Sequence, residues 1–111
     1  MKIKDAPVYK LADIAAEAQA QVQAQYPQLD PVIAISHQLR ASGFAADTLT
    51  VQSTRYDQRL LIVLHDARPN EVDYEFSRLS EEAPFAFSVL PLVALDLPQF
   101  VRWMTGPLAQ G

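Results

Sequence analysis

A chain of 111 residues, half of them apolar and none of them cysteine, has material for one hydrophobic core and no more. Lack of cysteine excludes disulfides, thiolate metal sites and cysteine nucleophiles, and it suits a reducing, cytoplasmic setting. Nine basic against thirteen acidic residues leave a net charge of -4, and no Lys/Arg cluster offsets it locally, so nucleic acid is not an expected partner.

The beginning, MKIKDAPVYK, is basic but has no apolar stretch behind it and does not read as a leader. The first predicted helix runs from about Tyr9 to Gln25, with Leu11, Ile14, Ala15, Ala18, Val22 and Tyr26 on one stripe. Ala12, Ala16 and Ala20 form a second, shallow ridge. It reflects either the helix propensity of alanine or a close-packed contact with another subunit.

Pro27 ends that helix, and Asp30-Pro31 is a start signal for a second one. Val32, Ile35 and Leu39 would make its buried stripe, Gly43 a left-handed stop, and Phe44 a residue folding back on the last turn. His37 would lie off the stripe, in solvent. Together the two helices would form a hairpin.

From Leu49 the period becomes two. LTVQSTRY alternates as a half-exposed strand, YDQ or DQ turns the chain, and RLLIVLH is a strand apolar on both faces. EVDYEFSRL alternates as an outer strand, although Val72, Phe76 and Leu79 also fit a helix face capped by Asn70. FAFSVL reads as a fourth strand, held to an edge by Pro91. The run VLPLVAL, like LLIVL, is far too short to span a bilayer, so no membrane partner is expected. LDLPQFVRWMTG closes the chain as a helix capped by Asp96, with Leu97, Phe100, Val101 and Met104 on one face and Trp103 at its rim.

The reading is therefore α+β within a single domain over residues 1–111: an N-terminal helical hairpin, an antiparallel sheet of three or four strands, and a C-terminal helix. The alternative is a mixed sheet with a crossover helix over 71–82. Strand register stays open. A three-residue first turn pairs Val51 with Val63, whereas a one-residue slip puts Leu60, Ile62 and Leu64 on the core face. Either way the central strand has aliphatics on its rear face, each worth roughly 1.5–3 kcal/mol when buried, so something should cover that face. The candidates are the terminal helix, the first helix or a second copy.

Chemistry is sparse. His65 beside Asp66, with Tyr74 nearby, is the candidate catalytic set, a strand-end imidazole next to a carboxylate. Neighbouring strand residues point to opposite faces, however, and the corner of a turn explains the pair as well. Two histidines without cysteine or helical His spacing propose no metal site, and three glycines provide no phosphate cradle, so no cofactor is expected. The carboxylates of Glu71, Asp73 and Glu75, followed by Glu81 and Glu82, are a solvated edge or a docking surface for a basic partner. Phe100, Arg102 and Trp103 have the composition of an interface. The function expected is a small non-enzymatic interaction or regulatory module. It would self-associate through an apolar sheet face, the aromatic C-terminal helix or both. A small enzyme or ligand-binding domain with a pocket near His65 is the alternative.

Overall fold

Alternation of apolar and polar side chains dominates the middle of the chain, and a computed structural model describing residues 7–110 realises it as an open antiparallel sheet. Residues 1–6, where the reading of a leader falls, lie outside the described residues. Helix α1 (Pro7–Gln25) leads to strand β1 (Val32–Ser36) and a one-turn helix α2 (Gln38–Ala41). Strands β2 (Ala46–Ser53), β3 (Gln58–His65), β4 (Glu71–Ser77) and β5 (Ser88–Pro91) follow, then helix α3 (Leu97–Thr105). The five strands form a meander in chain order, β1-β2-β3-β4-β5, every pair antiparallel. The fold is α+β, with a helix at each end of the described chain and β3 in mid-sheet.

The predicted helical hairpin is corrected. Residues 32–36 are a strand paired with β2, which makes the sheet one strand larger than the upper expectation. Three β-branched residues in the five of VIAIS favour extended backbone. Extension also sends Ile33 and Ile35 together into the helix-covered core, a gain the stripe of Val32, Ile35 and Leu39 could not match. Only the end of the expected helix survives. Gly43, at φ 96°, donates to the Arg40 carbonyl while Phe44 donates to that of Leu39, a Schellman closure.

The register puts Leu60, Ile62 and Leu64 on the core face. The faces are those of the slipped frame, but the pairing itself lies three residues from that of Val51 with Val63: a four-residue turn, Thr54–Asp57, with Asp57 at φ 54°, pairs Val51 with Leu60 and Leu49 with Ile62. The alternative crossover helix over 71–82 is excluded, because Glu71–Ser77 pairs with β3 on one side and β5 on the other. Pairing thus gives β3 a hydrogen-bonded neighbour on each side.

Both long helices lie on the same face. Leu49, Val51, Leu60, Ile62 and Val72 meet Val8, Leu11, Ala15, Ala18 and Val22 of α1 and Phe100, Trp103 and Met104 of α3 in one buried cluster. The Asp96 carboxylate accepts a 3.0 Å hydrogen bond from the Gln99 amide and caps α3, so the expected start of that helix holds. At its other end, a Cβ on Gly106 would approach the Arg102 carbonyl oxygen to 2.9 Å, which reserves the position for glycine.

Covering of the rear face also differs from expectation. Neither α1 nor α3 crosses it. Instead α2 and the segment over 83–87 flank Leu61 and Val63 from two sides, leaving Val63 buried and Leu61 half-buried. That face is where the sheet stays open.

Candidate functional site

Strand parity builds the open face. Ser36, Thr48, Val63 and Asp73 form one row across β1 to β4, and Ala34, Thr50, Leu61 and Glu75 form the next. The one apolar pair in these rows, Leu61 and Val63, becomes the floor of a groove of about 440 Å³. Leu39 of α2 stands on one side, Phe85 and Phe87 on the other, and His65 with Asp73 closes one end. This volume lies in the range of small-molecule and side-chain sites. Phe85 is 63% exposed, Phe87 37% and Val89, on the same face, 54%, so the apolar surface continues past the groove.

Phe85 holds a left-handed backbone at φ 56°, an uncommon conformation for a bulky side chain and of order 1–3 kcal/mol in cost. Its segment is fastened to the sheet by Glu75, whose carboxylate accepts from the Ala86 amide. Glu75 is 5% exposed, and its second oxygen, like Nε of Arg59 on the same face, is buried without a hydrogen-bond partner. These strained and under-satisfied groups sit on the groove side rather than in the helix-covered core.

At the closed end, His65 Nε2 lies 3.0 Å from Asp73 Oδ2, so this nitrogen carries the proton and donates. Arg68 donates to both oxygens of the same carboxylate at 3.1 and 2.8 Å and reaches Glu71 at 3.4 Å. Arg68, chiefly, and then His65 hold the Asp73 carboxyl below its ordinary range against the opposing effect of burial.

A second cluster repeats this arrangement toward the helix-covered face. His37 Nδ1 donates to Asp47 Oδ1 at 2.6 Å, and the Tyr9 hydroxyl meets His37 Nε2 at 2.8 Å. Arg40 bridges both oxygens of Asp47, at 3.1 and 3.0 Å, and both of Asp66, each at 2.9 Å. Asp47 is therefore pulled below its usual range by Arg40 first and His37 second, and Asp66 by Arg40, while the Arg40 guanidinium is raised. The cluster ties α1 to the β1–β2 end of the sheet. His37 is thus no solvated bystander, which corrects the sequence reading.

The candidate catalytic residues are not brought together. His65 faces Asp73, Asp66 turns to Arg40, and Tyr74 lies on the helix-covered face with its ring 5.1 Å from that of Trp103. Among the acidic candidates, Asp73 and Glu71 are engaged by Arg68, and Glu75 is buried and accepts from the Ala86 amide. Phe100 and Trp103 pack inside the monomer, Trp103 against Tyr74, Phe76 and Phe100, and Arg102 alone of that trio is exposed.

The sequence reading did not single out Leu39, Leu61, Val63, Phe85 and Phe87 as one site. The signal available was FAF beside a strand with rear aliphatics, but it needed the register to be useful. Among the described residues, no three His, Asp or Glu side chains converge in a way that would hold a metal ion. Comparison with protein families, with characterised proteins and with solved structures finds no match to this chain.

Proposed function

We propose that this protein is a non-enzymatic interaction module that seats an apolar segment of a partner protein in the open-face groove. One observation carries the reading. The groove presents Leu61, Val63, Leu39, Phe85 and Phe87 as an apolar centre, while its polar groups His65 and Asp73 are tied to each other, and Asp73 to Arg68, at its end. An apolar centre with a satisfied polar rim is the anatomy of a recognition surface. The exposed apolar surface of the Phe85 wall, continued past the groove at Val89, favours a protein segment over a compact small molecule. The net charge of -4 speaks against a nucleic-acid backbone, and the cysteine-free composition favours a reducing, cytoplasmic setting.

Two parts of the expected self-association are affected. Phe100 and Trp103 are occupied in the core, so α3 has little left to offer a copy. A hollow groove also does not fill the same hollow on a second molecule.

Indole and N-acetyl-leucinamide serve as stand-ins for partner side chains. Titrated into isotope-labelled protein, they should shift the methyl and amide resonances of Leu61, Val63, His65, Phe85 and Phe87. Shifts that are absent, or that centre on the α1–α3 side, would remove the proposal.

A second reading is favoured by His65 and Asp73 meeting in the groove, an imidazole oriented by a carboxylate. It makes the groove a ligand-binding or catalytic pocket. His65→Ala separates the two: a partner site keeps most of its probe affinity, whereas a pocket centred on His65 loses ligand binding or turnover.

A further inference from the structure

Parity decides where the outer edge of β1 points. The Asp66 amide donates to the Ala45 carbonyl, so odd-numbered β2 residues bond to β3 and even-numbered ones to β1. Thr48 and Thr50 therefore bond to Ser36 and Ala34, and the contacts of their hydroxyls with the Ser36 and Ala34 carbonyls agree. The amide and carbonyl groups of Ile33 and Ile35 are left facing away from the sheet, and among the described residues no other backbone group pairs with them.

The two edges of this sheet differ. β5 is a four-residue strand ending in Pro91, a short edge that proline blunts. β1, VIAIS, has no charged side chain, no internal proline and no bulge to guard its exposed edge. From this we infer that β1 pairs with β1 of a second copy of this chain, joining two five-stranded sheets into one of ten strands.

Self-complementarity selects the copy as the occupant. A two-fold axis beside Ala34 makes the strands antiparallel and sets Ile33 opposite Ile35 of the partner copy, using all the outward groups of both residues. Ala34 then faces its own equivalent in a non-hydrogen-bonded position, where side chains come closest and alanine fits. An uncharged strand lets two chains of net charge -4 meet with no like charges opposed at this edge.

Helix α1 independently agrees. Tyr9 reaches His37, just past the end of β1, and Gln19 and Gln23 reach Asp30, just before its start. That side of α1 looks toward the β1 edge. A turn of 3.6 residues places Ala12, Ala16 and Ala20 within about 60° of Tyr9 on the helix circumference. The shallow ridge thus lies on the same side as the open edge, with Ala16 and Ala20 exposed. A five-residue strand pair alone is small beside the roughly 800 Å² per partner of a stable interface. The ridge of α1 against its counterpart extends it. This dimer is independent of what the groove holds.

The experiment is light scattering on size-exclusion fractions of the full chain, with Ala34→Glu and Ala34→Lys, at an exposed position, placing like charges opposite one another across the axis. The expected results are twice the chain mass for the wild type at tens of micromolar, chain mass for each variant, and twice the chain mass again for their equimolar mixture. A wild type that stays monomeric at high micromolar concentration, or an Ala34→Glu variant that stays dimeric, overturns the inference. If either variant fails to fold, hydrogen exchange of the wild type decides. Ile33 and Ile35 amides protected at high concentration and fast-exchanging on dilution support the pairing, and fast exchange at all concentrations ends it.

Discussion

The two faces of the sheet use the same strand, β3, in opposite ways. Toward the helices, Leu60 and Ile62 are fully buried in a core built from α1 and α3. On the open face, Leu61 and Val63 of the same strand are covered only by α2 and the 83–87 segment, and the cover leaves a groove. Each face also has a His–Asp–Arg cluster: Asp47 points toward the helix side with an 8% exposed side chain, and Asp73 lies on the open face with 15%. The lesson is that hydrophobic sequence in a central strand does not imply one use. Complete burial on one side builds stability, and incomplete burial on the other leaves a surface available for binding.

The largest expected difference follows from that contrast. Ile62→Ala should cost about 2–5 kcal/mol, because it opens a cavity in a close-packed core. Leu61→Ala, one residue away and half-buried, should cost about 1 kcal/mol in the same urea titration. Equal costs would mean the groove is ordinary core.

The paired clusters give the next effect. Asp47→Ala leaves Arg40 and His37 without their shared acceptor and should lower stability by roughly 1–3 kcal/mol. Asp73→Ala should cost less, since the Asp73 carboxylate itself is nearer solvent than that of Asp47. Both carboxyls titrate below the ordinary 3.8 in the folded chain. Their contribution is therefore complete above that pH and drains away as pH falls through it to the lower folded values. Urea midpoints of the wild type should decline on that acid side, and those of the doubly Asn-substituted chain (Asp47→Asn, Asp73→Asn) should decline less.

Phe85 gives the smallest change in stability. Phe85→Gly relieves a left-handed backbone that the native side chain resists, so stability should hold within about 1 kcal/mol. Indole binding should weaken, because one wall of the groove has gone. Unchanged binding would show that Phe85 is no part of the surface.

Much of this architecture could be read from residue order. Strict alternation over EVDYEFS gave β4, the two-faced RLLIVLH gave a mid-sheet strand, and Asp96 with Gly106 bracketed α3. Failure came where signals were short. VIAIS offers only two stripe positions to a helix, Val32 and Ile35, and two to a strand face, Ile33 and Ile35, and tertiary pairing with β2 decided between them. His37 was misplaced for the same reason, and with it the Tyr9–His37–Asp47 link. The groove depended on register, which a turn lacking Asn-Gly leaves open until Asp57 is seen to take the left-handed position.

The most direct test of the divided sheet is Leu61→Thr, which introduces a β-branched strand former but removes the apolar floor, read by urea unfolding and indole titration of the same sample. The account predicts an unfolding midpoint close to that of the wild type and loss of the indole-induced shifts at His65 and Phe87. A collapse in stability, or shifts that persist undiminished, would contradict it.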